Sequence, residues 1–335
     1  MHVLLSGAAG FIGSHLADRL LARGDRVTGI DNFDPFYPRA EKVGNLRRAS
    51  AAKGFELLEV DITDPAALRG AVASRTFDVV VHLAAKAGVR PSIENPTAYV
   101  QTNVLGTQCL LEVVRERGVP RFVFASSSSV YGNTASVPFT EDDSATAAIS
   151  PYAATKRSGE LLCATHQVLY HGSMMCLRFF TVYGPRQRPD LAIRKFASLM
   201  AAGKPIQLFG DGGTERDYTW IDDIIEGTLS AVDRTAMVED EFQIINLGGS
   251  RTTTLRRLVE LVAAALGVTP TIERLPPQPG DVVRTCANVS KARALLGYEP
   301  RTSIEEGIPR FIAWLLSNGR SARCVSPPLS SSAAT

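Results

Sequence analysis

Through the first half of the chain, short apolar runs rich in β-branched and aromatic residues alternate with longer amphipathic stretches. The runs predict strands at residues 3–6, 26–31, 56–60, 79–83, 121–126 and 174–180. Strand and helix patterns in alternation belong to β–α–β crossovers, which make successive strands parallel. Two of the runs are almost continuously apolar, as strands covered by helices on both faces must be. The expected fold class is therefore α/β, a doubly wound parallel sheet.

Beyond Tyr183-Gly184-Pro185 the alternation weakens into basic and proline-rich loops. Helices are expected near 191–202, at 255–266 and around 303–315, with turns at 210–213 and a loop at 276–280. These make a smaller α/β C-terminal lobe. The expected organisation is a first domain over 1–181, rejoined by 217–247, and a second lobe from 182–216 and 248–320. From Ser321 onward the chain is rich in Ser and Ala, carries Pro327-Pro328 and loses apolar periodicity, so 321–335 is expected to be a disordered tail. A chain of 335 residues can bury a large core, and no internal repeat divides it.

Charge adds mainly exclusions. Lys and Arg total 36 against 34 acidic residues and are interspersed with them, so no basic stripe points to nucleic acid. The longest apolar runs, such as 79–81 and 263–266, fall far short of the roughly 20 residues a bilayer span needs. The strand pattern starts too early to leave room for a secretory leader, and a cytoplasmic protein off the membrane is expected. Five cysteines show neither CxxC nor metal-ligand spacing; Cys109, Cys163, Cys176 and Cys286 read as small buried hydrophobes in a reducing compartment, and no metal is expected.

Candidate chemistry begins at Gly7-Ala8-Ala9-Gly10-Phe11-Ile12-Gly13, a GxxGxxG run between the first expected strand and the helix after it. Gly7 permits a tight turn, Gly10 lets a pyrophosphate approach the backbone, and Gly13 lets the helix pack closely. The helix start at Phe11 and Ile12 offers amide N–H groups to the phosphates. Asp31 ends the second strand 18 residues after Gly13, where an acid accepts hydrogen bonds from an adenosine ribose. No Arg follows closely to pair with a 2′-phosphate, so NAD is expected rather than NADP, on a Rossmann-type sheet.

Tyr152 and Lys156 lie four apart, on one face of a helix if the stretch is helical. A tyrosine near its ordinary pKa of about 10 is a poor base at neutrality, but a neighbouring ammonium and a nicotinamide cation would favour its phenolate. Upstream, a strand runs into Ser126-Ser127-Ser128-Ser129-Val130-Tyr131-Gly132, which puts hydroxyls at a strand's carboxyl end, where ligands of such sheets bind.

With these three elements in place, residues 1 to about 318 resemble the extended short-chain dehydrogenase/reductase family, whose members act on nucleotide sugars. The resemblance implies a catalytic set of Ser127, Tyr152 and Lys156. It also implies cofactor contacts from Gly7, Gly10, Phe11, Ile12, Gly13, Asp31, Asn32, Asp61, Ile62, Leu83, Ala84, Ala85, Lys86 and Asn103, and from Tyr152 and Lys156 themselves. The family's dehydratases carry Asp-Glu after the catalytic hydroxyl, whereas Ser128-Ser129 stands here, and the acid typical of its decarboxylases is also missing. Epimerisation at one carbon remains.

Within the family, Asp31-Asn32-Phe33 with Tyr37, Ala87-Gly88-Val89-Arg90 and residues 178–190 resemble the UDP-glucuronate 4-epimerases. That resemblance implies a carboxylate clamp of Ser127, Ser128, Thr181 and Arg188, with Arg90, Arg186, Arg216, Asp281 and Arg284 as further substrate contacts. Gln278 replaces an Arg usual in UDP-glucose 4-epimerases, which shifts the expected phosphate duty to Arg216 and Arg284. The expectation is NAD-dependent, reversible conversion of UDP-glucuronate to UDP-galacturonate through a 4-keto sugar, by a homodimer. The alternatives are an epimerase of UDP-glucose or UDP-N-acetylglucosamine, and a non-catalytic NAD-binding sensor. His15 and His82 are expected to be packed or locally bonded histidines rather than catalytic ones.

Overall fold

A computed structural model describes residues 1–133, 137–145, 148–276 and 282–323, with side chains as far as Asn318. Six strands fall where the apolar runs predict them: β1 (His2–Ser6), β2 (Arg26–Asp31), β3 (Phe55–Glu59), β4 (Val79–His82), β5 (Arg121–Ser127) and β6 (Ser173–Phe179). All pair in parallel, and β11 (Phe242–Leu247), which the periodicity does not single out, joins the edge beyond β6. The order across the seven-stranded sheet is β11-β6-β5-β4-β1-β2-β3.

The alternation of side chains along a strand assigns each residue to one of two cores. Val3, Leu5, Val79, Val81, Val123, Met175 and Leu177 join the cluster that also holds Leu16, Leu20, Ile224 and Val232 from the helices Phe11–Ala22 and Ile221–Met237. Leu4, Val80, Phe122, Phe124 and Cys176 face the other way, onto Leu110, Val114 and Cys163 from the helices Gly106–Arg117 and Pro151–Tyr170. Helices on both faces explain why these strands are apolar at consecutive positions.

The later elements gather at the carboxyl end of the sheet. Between the main sheet's last two strands come β7 (Thr181–Tyr183), β8 (Ile206–Phe209), β9 (Glu215–Arg216) and β10 (Tyr218–Trp220); β12 (Thr253–Thr254) and β13 (Ile272–Leu275) follow β11. They form three two-stranded ribbons, β10 with β7, β12 with β9 and β13 with β8. The helices Ala192–Ala201, Leu255–Leu266 and Ile304–Arg323 contribute Ala197, Val262 and Phe311 to the first core, which runs without a break from the sheet into this region. The last helix continues to Arg323, three residues into the tail expected from Ser321. Among the described residues no helix is long and apolar enough to cross a membrane.

Candidate active site

The carboxyl ends of the central strands open into a cleft of about 680 Å³. At its floor, Gly7 takes φ +71° and donates its N–H to the Ile30 carbonyl at 2.7 Å, which turns the chain out of β1. A Cβ at Gly13 would sit 2.1 Å from the Gly7 carbonyl oxygen, so only glycine allows the helix this close to the turn. The helix starts at Phe11 with no side-chain cap on Gly10 and no acid in its first turn, leaving amide N–H groups and positive dipole for an anionic group.

Asp31 accepts from the Ala9 N–H at 3.0 Å and from the Phe33 N–H at 2.8 Å, and so ties the glycine loop to the end of β2. Lys42 lies 3.8 Å from the same carboxylate, packed over the Tyr37 ring. Asn32, Ile62, Leu83, Ala84, Ala85 and Lys86 also line the cleft. Two residues expected beside them do not. Asp61 instead accepts from Asn32 Nδ2 at 2.8 Å and from Thr63, so it positions Asn32. Asn103 accepts from the Lys86 N–H at 2.8 Å and donates to the Lys86 carbonyl and to Thr155 Oγ1, pinning the loop after β4 to the helix Pro151–Tyr170.

That helix begins at a defined place because Ser150 accepts from the Ala153 N–H and Pro151 occupies the first turn. Its buried Glu160 pairs with Arg178 of β6 through two bonds, of 2.8 and 2.9 Å, and accepts from Ser126 of β5. Tyr152 and Lys156 thereby reach the same cleft as Ser127. Desolvation pushes the Tyr152 phenol up, while the Ser127 hydroxyl and the Arg188 guanidinium draw it back. Lys156 Nζ donates to the Ala125 carbonyl at 2.7 Å, and burial lowers its pKa to about 8. Tyr99, absent from the expected set, packs edge-on to Tyr152 with ring centres 6.2 Å apart.

Of the expected substrate contacts, Ser127, Ser128, Thr181, Arg188 and Arg216 line the cleft. Arg188 bonds Asp190 through Nε at 3.0 Å and Nη2 at 2.6 Å, donates to the Ala87 carbonyl at 3.1 Å, and covers the Phe36 ring. Three other arginines are elsewhere. Arg186 has φ +62°, a turn that sends its side chain to Asp18 (2.7 Å) in a separate pocket with His15 and Trp314. Arg90 packs over the Phe209 ring of β8, and Arg284 pairs with Glu215 at 2.9 Å. Asp281, with Gln278, lies outside the described residues. His82 bridges Ser6 and Thr107, with a pKa pushed down to about 3 by burial, and His15 bonds the Pro185 carbonyl; both are local packing groups.

Phe36, Tyr37, Lys42 and Tyr99 complete the cleft walls. The Tyr37 hydroxyl is buried without a partner among the described residues. Of these four only Tyr37 had a signal in the sequence, through its resemblance motif; the others come from loops and helices whose approach to the cleft is set by the fold.

Comparison with known proteins agrees with this geometry. A UDP-glucuronate 4-epimerase of Thermodesulfobacterium geofontis is 40% identical over 318 residues, covering 95% of this chain and 97% of that protein. The crystal structure of UDP-glucuronic acid 4-epimerase from Bacillus cereus in complex with UDP-glucuronic acid and NAD is 37% identical, with a TM-score of 0.88 over 95% of this chain and 100% of that one. A UDP-glucose 4-epimerase from Thermotoga maritima, solved with UDP-glucose, is 31% identical with a TM-score of 0.84 over 95% of this chain and 99% of that one. A family model described as GDP-mannose 4,6 dehydratase matches residues 4–311, and the chain belongs to that family of extended short-chain dehydrogenases/reductases.

Proposed function

We propose that the chain interconverts UDP-glucuronate and UDP-galacturonate by reversible oxidation and reduction at C4, with NAD as cofactor. The observation that carries this reading is Arg188, which lines the same cleft as Tyr152, Ser127, Ser128 and Thr181. A uronate differs from a neutral sugar by one carboxylate, and a guanidinium with three hydroxyls matches it. The glycine cradle closed to side chains, the uncapped helix start and Asp31 fit NAD.

Gly7, Gly10 and the first helical turn would hold the cofactor's phosphates, Asp31 its adenosine ribose, and Lys156 its nicotinamide ribose. The cofactor these residues would hold would supply the hydride acceptor and donor at C4. Tyr152 takes the proton of the C4 hydroxyl and gives it back once the 4-keto sugar has turned its other face, while Ser127 bonds the same oxygen. Lys156 holds the Ala125 carbonyl and with it the end of β5, which keeps Ser127 in register with Tyr152.

The purified protein, incubated separately with UDP-glucuronate and UDP-glucose, is expected to yield UDP-galacturonate from the first, resolved by NMR. Conversion of UDP-glucose alone would make it a neutral-sugar epimerase, and NAD binding without either conversion would make it a sensor. A homodimer in the cytoplasm is part of the proposal. The dimer is supported by exposed apolar side chains at Leu161, Val168 and Leu169 on the helix Pro151–Tyr170, with Val100 and Leu105 beside it. Free Cys109, Cys163, Cys176 and Cys286 suit a reducing compartment.

A further inference from the structure

Arg188 is held by more than the cleft needs for simple attraction. Asp190 takes Nε and Nη2 in a two-pronged carboxylate–guanidinium pair, the Ala87 carbonyl takes Nη2 again, and the Phe36 ring covers one face. Among the described residues Nη1 makes no hydrogen bond, and it is the nitrogen left for a ligand. Arg188 lines the cleft, whereas Asp190 stands behind it, outside the lining, with a third of its side chain exposed. An arginine that has already given its fork to a carboxylate can offer a second carboxylate only one end and a partly neutralised charge.

This geometry matters for a reaction in which the sugar must move. A 4-keto uronate has to turn in the site between losing and regaining hydride, and its carboxylate moves with it. A full fork–fork clamp would hold the first orientation and resist the turn, because binding that is strongest in one ground state slows the step that leaves it. Ala87 adds to the restraint: its carbonyl also accepts from the Tyr99 hydroxyl at 3.2 Å, and Tyr99 packs on Tyr152. The guanidinium is thus fixed relative to the tyrosine while its pull is tempered from behind.

We propose that Asp190 is a positioning residue that fixes the Arg188 guanidinium and weakens its hold on the sugar carboxylate, so that the oxidised sugar can turn. The inference rests on the UDP-glucuronate reading above. Asp190 lies outside the lining of the cleft and acts through Arg188.

The test compares the parental protein with Asp190→Asn, which keeps an acceptor for the guanidinium but removes the charge, and with Asp190→Glu, which keeps the charge. Calorimetry with UDP-glucuronate and with UDP-glucose is read beside kcat and KM. Asp190→Asn is expected to bind UDP-glucuronate about two- to fivefold tighter, the scale of a partly exposed ion pair. Its kcat should fall and its KM should not rise, its UDP-glucose affinity should stay at the parental value, and Asp190→Glu should recover part of the lost kcat. A merely structural role would weaken both ligands together. Unchanged or weaker UDP-glucuronate binding by a folded Asp190→Asn, or an equal change for both sugars, overturns the Asp190 role alone. A parental protein that neither binds nor converts UDP-glucuronate overturns the substrate reading and this proposal with it.

Discussion

Tyr152 is a phenol that burial makes a weaker acid, and two neighbours, the Ser127 hydroxyl and Arg188, favour its ionised form. Tyr152→Phe keeps the ring packed against Tyr99 and removes only the proton carrier. UDP-glucuronate binding measured by calorimetry should stay near the parental value, while turnover should fall by about 10²–10⁴-fold, the usual share of general acid–base catalysis. Retention of most of the parental rate would remove Tyr152 from the mechanism. Lys156 sets a pH limit of its own. Burial brings its pKa down to about 8, so its ammonium, which donates to the Ala125 carbonyl, loses its proton as pH rises through that value. Turnover should decline on the alkaline side of about pH 8, and Lys156→Arg, which stays charged, should carry whatever activity it retains to higher pH. A flat profile from pH 7 to 10 would contradict this.

At the scale of elements, the helix Pro151–Tyr170 is the part whose placement matters most, because it carries Tyr152 and Lys156 across from Ser127 on β5. Its anchor is Glu160, fully buried between Arg178, Ser126 and Arg157. Burial alone would raise the Glu160 pKa, but these partners more than offset it and hold the carboxyl below its ordinary range. Removing one partner of a buried pair strands the other's charge, so Glu160→Ala should destabilise the fold by about 3–5 kcal/mol, measured by urea unfolding. A loss below about 1 kcal/mol would show that the pair does not anchor the helix. The strand at 242–247 illustrates why one element escaped the pattern: Gln243 and Asn246 interrupt its apolar run, yet Asn246 is buried, accepting from the Tyr131 hydroxyl and donating to the Phe139 carbonyl. A polar residue satisfied by distant partners looks exposed in a sequence and is core in the fold.

For the whole molecule, the stripe of Leu161, Val168 and Leu169 predicts association. The spacing of seven and eight residues keeps these side chains on one helical face, beyond what isolated exposed apolar groups need explained. The parental protein should sediment as a dimer, and Val168→Glu combined with Leu169→Glu should shift it to monomer without loss of secondary structure. A monomeric parental protein would refute the dimer.

What the sequence determined by itself was whatever rests on local spacing. Strand and helix periods, the glycine turn with its following helix, and the four-residue interval from Tyr152 to Lys156 are properties of short stretches, and they set the α/β class and the elements of the cleft. The direction of each side chain within those stretches was decided only by tertiary structure. Arg186 and Arg188 are two residues apart in one basic loop, yet a backbone turn at φ +62° sends the first to Asp18 and leaves the second facing the cleft. Lys156 shares a helix with Tyr152 and lines the cleft, yet one of its ammonium N–H groups goes to the Ala125 carbonyl, and Asn103 and Asp61 support cleft residues without lining it. A charged group goes where its nearest partner is, and in this fold the partners arrive from elements up to 210 residues away in sequence.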